Sequence, residues 1–134
     1  MKRTFAILAM ALFCLACEAD VSGLRVLGVD ELAALRAGDE ALTICDANNA
    51  DVRQRYGTIP GAVLLSSYRD YDAAVELPPD KAQRVVFYCR SEMCGAAGDA
   101  ARRATAHGHT NVWVMHAGIK GWVEAEQPVV RGAS

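Results

Sequence analysis

The stretch Cys89-Arg90-Ser91-Glu92-Met93-Cys94-Gly95 carries the side chains best suited to chemistry. Cys89 directly follows the apolar run Val85-Val86-Phe87-Tyr88 and stands a few residues ahead of an Ala-rich segment with a helical pattern. A thiol between a strand end and a helix start meets amide groups and the positive end of the helix dipole, and both favour its thiolate. The thiolate is the nucleophilic form. The competing reading of Cys89 is a buried structural cysteine at a strand end. Cys94 adds a second sulfur. It could resolve an oxidised Cys89 by forming a disulfide, serve as a soft metal ligand, or be a small apolar residue at a helix start. A zinc site wants four ligands in a recognisable spacing. The domain beyond the leader has no second cysteine pair, so no metal is expected, nor any cofactor. Cys45 reads most simply as a buried strand residue.

The elements around this stretch alternate. Val26-Leu27 reads as a first strand, and Asp30 as an N-cap before Glu31–Arg36, with Gly38 as the stop. Ala41–Cys45 reads as a buried strand, Ala50–Tyr56 as a helix ended by Gly57, and Ala62–Leu65 as a short apolar run after the Pro60-Gly61 turn. A helix is expected within Tyr68–Glu76, before Pro78-Pro79. Arg84–Tyr88 is the clearest strand, followed by a helix over Gly95–His107, a strand over Val112–Met115 and a last helix over Ile119–Glu126. Strands separated by helices at this rhythm predict an α/β fold with a parallel sheet covered on both faces. Ligands of such sheets sit beyond the carboxyl ends of the strands. That places Asp46 and His116 as candidates for a pocket rim beside the Cys89 loop. His107 and His109 bracket Gly108 at a helix end, where solvated histidines are ordinary.

The chain of 134 residues suits one domain rather than two. Residues 1–17 read as an address. Lys2 and Arg3 form a positive n-region, and Phe5–Leu15 is an apolar run too short to span a bilayer comfortably. Ala16-Cys17 after that run resembles a bacterial lipoprotein signal, with Cys17 as the lipidated first residue; the rival is plain cleavage after Ala16 or Ala19. Residues 18–23 would be a short linker and residues 24–134 the domain. The expected location is the bacterial periplasm or cell envelope, with attachment to the membrane by lipid. The 14 Lys and Arg against 16 Asp and Glu give a net charge of −2, and nothing in this balance points to nucleic acid. Export means an oxidising compartment. There Cys89 and Cys94 are expected to form a reversible disulfide if their Cα atoms lie within about 7 Å.

Phe87-Tyr88-Cys89 before a short loop and an Ala-rich helix resembles the active-site segment of the rhodanese (sulfurtransferase) family. Other pieces fall in the family's order. Thr43-Ile44-Cys45-Asp46 is similar to its strand ending in Asp, Gly57-Thr58-Ile59-Pro60-Gly61-Ala62 to its Gly-His-Ile-Pro-Gly-Ala turn, and Asn111–Trp122 to its closing strand and final helix. The resemblance implies a rhodanese-like fold, a five-stranded, mainly parallel sheet flanked by helices on both faces. It implies a sulfurtransferase or sulfur carrier that takes sulfane sulfur as a persulfide on Cys89, held by a loop with inward-pointing amides. Its partners would be a small sulfur donor and a thiol acceptor, or a protein thiol. The departures are specific: Glu92 stands where Gly is common, Cys94 where Arg is common, Asn48 replaces Arg after Asp46, and Thr58 replaces His. Loss of the loop Arg removes an anchor for anionic donors such as thiosulfate, which argues against efficient transfer from thiosulfate to cyanide. Gly95 stands where the related phosphatases place Arg, which argues against that activity. The alternative function is a thiol-disulfide redox or binding module using Cys89 and Cys94.

Overall fold

Period-two alternation along the strand before Cys89 divides the core into two layers. Val85 and Phe87 face one side of the sheet, Val86 and Tyr88 the other, and all four are fully buried. Each such apolar side chain contributes roughly 1.5–3 kcal/mol on burial. The computed structural model describes residues 19–132. The leader and Cys17 lie outside the described residues.

The elements are β1 (Arg25–Leu27), α1 (Val29–Ala37), β2 (Leu42–Asp46), α2 (Ala50–Tyr56), β3 (Val63–Leu64), α3 (Ala73–Glu76), β4 (Arg84–Tyr88), α4 (Ala96–Ala106), β5 (Val112–Met115) and α5 (Gly118–Glu124). The strands form one sheet in the order β1-β5-β4-β2-β3, and every pairing is parallel. On one face, Ala97, Ala100, Ala101 and Ala104 of α4 and Ala73 of α3 pack on Cys45, Val85, Phe87 and Val114. On the other, Leu32 of α1, Val52 of α2 and Ile119 and Trp122 of α5 pack on Ile44, Val86, Tyr88 and Met115. Small alanines let α4 lie close to the sheet, which carries the loop before it tightly over the end of β4.

Two elements differ from the sequence expectation. Helix α1 begins two residues earlier, at Val29, with Gly28 as its N-cap and Asp30 and Glu31 inside its first turn, where carboxylates favour the dipole. The helix expected within Tyr68–Glu76 is reduced to Ala73–Glu76. Local side chains supply the partners that a longer helix would need. Ser67 Oγ accepts from the amides of Arg69 and Asp70, both at 3.3 Å. Glu76 accepts from the amides of Ser66 (2.7 Å) and Asp72 (2.8 Å), which ties the segment into turns.

The expected linker is partly docked. The Ala19 amide donates to the Glu92 carbonyl at 2.7 Å. Arg102 of α4 donates to the carbonyls of Asp20 (3.1 Å) and Ser22 (3.4 Å). This segment therefore runs over α4 to the Cys89–Gly95 loop.

His109 is a correction. It is 2% exposed, and neither ring nitrogen has a hydrogen-bond partner among the described residues. Gly108, at φ +94°, turns the chain after α4, and the side chain that follows is buried. Burial first, then the charges of Lys81 and His107, holds its pKa below the usual 6.5. The folded protein thus refuses a proton that the unfolded chain accepts. Stability is retained above about pH 6.5 and falls as the pH drops below it. Denaturant midpoints at pH 7 and pH 5 are expected to differ less in His109→Leu than in the wild type. An equal acid loss in both would remove His109 as the cause.

Candidate active site

Residues beyond the carboxyl ends of β2 and β4 meet at one cavity of about 560 Å³. Its walls include Ala47, Asn48 and Asn49 after β2, Tyr68 and Arg69 from the turn before α3, and Arg90, Ser91, Met93, Cys94 and Gly95 from the loop after β4. Alternation from Phe87 puts Cys89 on the α4 side of the sheet, where it is 2% exposed. Cys94 is half-buried and faces the cavity. The two residues are paired sulfur to sulfur, with Cα atoms 6.3 Å apart. That separation lies within the range a disulfide spans without backbone movement.

The backbone around the sulfurs differs from the expected ring of inward amides. The Cys94 amide donates to the Ser91 carbonyl at 3.0 Å and closes a turn inside the loop. The Cys94 carbonyl oxygen lies 3.1 Å from Cys89 Sγ. A carbonyl accepts from a thiol but repels a thiolate, so the loop as closed around this sulfur pair does not cradle an anion at Cys89.

The other expected residues fall in different places. Arg90 and Met93 are exposed on the cavity wall, with Met93 at 73% exposure. Glu92 lies on the opposite shoulder of the loop with Lys120 and Glu124. Asp46 is fully buried and does not rim the cavity. Its carboxylate accepts from Arg53 Nε (3.2 Å), the Asn48 amide (2.8 Å) and the Tyr88 hydroxyl. His116 is half-buried just past β5 and is not among the residues that line the cavity. Burial pushes the Cys45 thiol up to about 12, with the nearby charges of Glu76 and Asp46 adding to the effect. Cys45 is therefore a packing residue and not a competing nucleophile. Among the described residues, no three His, Cys, Asp or Glu side chains cluster as a metal site requires.

Comparison with known proteins settles the family. The family model for the rhodanese-like domain matches residues 28–125. The chain belongs to the rhodanese-like domain family. Among solved structures, it is similar to a thiosulfate sulfurtransferase from Pseudomonas aeruginosa, at 27% identity and TM-score 0.64, over 83% of this chain and 21% of that one. It shares its fold with the polysulfide-sulfur transferase homodimer of Wolinella succinogenes, at 16% identity and TM-score 0.68, over 82% and 80% of the chains. The rhodanese-like domain of an Anabaena sp. protein matches at 19% identity and TM-score 0.64, over 81% and 86%. No curated protein matches the chain.

Two supports of this rhodanese-like site escape sequence reading. Arg53 of α2 is buried and also donates to the carbonyls of Asp46 (3.1 Å) and Leu65 (3.0 Å). It anchors the end of β2 from a helix, a role that its position in a polar heptapeptide does not reveal. Gly118, at φ +68°, presses its backbone against the cysteine loop. A Cβ there would lie 2.5 Å from the Arg90 carbonyl carbon and 2.6 Å from Ser91 N. The amides of Ile119 and Lys120 then donate to the carbonyls of Cys89 (2.8 Å) and Arg90 (2.9 Å). The start of α5 thereby holds the loop by its backbone. The glycine is visible in the sequence, but its contact with a loop far along the chain is not.

Proposed function

We propose that this rhodanese-like protein takes sulfane sulfur on Cys89 as a persulfide and works in the bacterial cell envelope, held there by lipid on Cys17. Cys89 would attack the terminal sulfur of a donor R–S–SH. The donor's S–S bond breaks, the thiol R–SH leaves, and Cys89 carries the sulfur. The observation that carries this reading is the placement of Cys89 just past the carboxyl end of β4, at the start of a loop that lines the cavity.

The contact between the sulfurs of Cys89 and Cys94 favours a continuation by the second, redox reading. The Cys94 thiol attacks Cys89 Sγ and expels the outer sulfur as hydrogen sulfide, leaving a Cys89–Cys94 disulfide. Sulfane sulfur is reduced and the two thiols are oxidised, so the electrons balance.

Intact mass of the reduced protein after exposure to a sulfane-sulfur donor tests both steps. Cys94→Ser is expected to gain one sulfur that reductant removes, and Cys89→Ser to gain none. The wild type is expected to end two hydrogens lighter, with sulfide released. A stable extra sulfur on Cys89→Ser would remove the first step. A wild type that keeps its persulfide beside a free Cys94 would remove the second. An unacylated mature N-terminus from a native-like host would reject the lipid anchor alone.

A further inference from the structure

We infer that the cavity seats a small organic thiol bearing a carboxylate, and that this thiol exchanges at Cys94 rather than at Cys89. The inference rests on the disulfide reading above and names the thiol that would reopen the pair.

The cavity has room for more than a very small occupant. A volume of about 560 Å³ falls in the range that holds a molecule of short-peptide size. Its polar lining is biased toward an anion. Asn48 is only 8% exposed, lines the cavity, and its Nδ2 has no hydrogen-bond partner among the described residues. A buried amide without a partner is costly, and a ligand acceptor is what would satisfy it. Arg69 and Arg90 are exposed on the same walls. The carboxylate on the lining, Asp99, lies 3.8 Å from Arg102 and so is partly offset. Tyr68 and Val52 supply apolar surface for the body of the ligand.

Depth decides which sulfur is met. Cys94 faces the cavity, whereas Cys89 lies behind it at 2% exposure. The thiolate R–S− attacks Cys94 Sγ. The Cys89–Cys94 bond breaks, and Cys89 leaves with the electron pair and takes up a proton. The product is the mixed disulfide R–S–S–Cys94. A second R–S− attacks the ligand sulfur of that bond, releasing R–S–S–R and the Cys94 thiol. Two organic thiols are oxidised and the protein pair is reduced.

Two measurements test the seat and the sulfur separately. The first is binding of S-methylglutathione to the full-length protein, which cannot exchange and so reads the seat alone. Asn48→Leu is expected to weaken it roughly tenfold, the scale of one hydrogen bond to a charged group. Asn48→Asp is expected to abolish the preference for S-methylglutathione over its diethyl ester. The Asn48 side chain makes no hydrogen bond through Nδ2, so neither change removes one from the fold. The second measurement is the rate of mixed-disulfide formation with oxidised glutathione. It is expected to be at least tenfold faster on Cys94, in Cys89→Ser, than on Cys89, in Cys94→Ser. No binding, or binding indifferent to both Asn48 changes, overturns the seat while leaving persulfide formation on Cys89 untouched. Equal or faster reaction at Cys89 overturns the order of attack. A seat that behaves as stated in a protein that never pairs its cysteines would instead count against the reading on which the inference rests.

Discussion

Arg53→Met is expected to destabilise the domain by about 3–5 kcal/mol, the cost of leaving a buried carboxylate without its charge partner. Asp46 is fully buried and Arg53 is 7% exposed, so water cannot replace the guanidinium. The substitution also strands the carbonyl of Leu65, which accepts from Arg53 Nη2, while the Asp46 carbonyl keeps the Leu65 amide. Against a total stability of about 5–15 kcal/mol for an ordinary domain, this is a large share. Urea unfolding of the two proteins measures it directly. Asp46→Asn in the Arg53→Met background is expected to recover part of the loss, because the uncompensated charge is then gone. A loss under 1 kcal/mol would mean that the pair is dispensable and that Tyr88 and the Asn48 amide suffice.

Gly118→Ala is expected to lower the rate of sulfur loading at Cys89 roughly 100-fold, the penalty that a misplacement of about 1 Å can bring to a reacting group. The added methyl would stand 2.5 Å from the Arg90 carbonyl carbon and 2.6 Å from both its oxygen and Ser91 N. Those are backbone atoms, so the loop as a whole must move. The left-handed conformation at φ +68° adds a further cost of about 1–2 kcal/mol for any residue with a Cβ. Gly38→Ala is the control, since its nearest neighbour is 3.6 Å away and its φ is −85°. Persulfide formation followed by intact mass over time compares the three proteins. Unchanged loading in Gly118→Ala would show that the loop relaxes without consequence.

Much of the sheet was legible because its strands are bounded apolar runs. Val85-Val86-Phe87-Tyr88 is continuous in the sequence because both faces of β4 are covered, and the structure covers both. The helix starts were less clear where serines and carboxylates compete for backbone amides, as they do around Ser67 and Glu76. Asp46 could be placed at a strand end from its position. Its burial could not, because that depends on Arg53 from α2 and Tyr88 from β4 converging on one carboxylate. The spacing of Cys89 and Cys94 suggested that they could meet. Which one faces outward depends on the pleat of β4 and the entry angle of α4, and neither is written locally. His109 misled for the same reason: a histidine beside a helix-ending glycine is usually solvated, but the turn at Gly108 directs this one inward.

The order β1-β5-β4-β2-β3 means that the first strand to be made pairs with the last. Arg25, Val26 and Leu27 find their partners in Trp113, Val114 and Met115. Contacts so distant along the chain carry a loop-closure cost before they return any stability, and they slow folding. During synthesis, Arg25–Leu27 emerges with no strand to join, and it stays that way until nearly the whole domain has followed. Neither the seam between β1 and β5 nor the docking of Ile119 and Lys120 onto the cysteine loop exists before that moment. A nascent chain of this design remains open and threadable until its final helix appears, and the cysteine loop is locked in place at the last step.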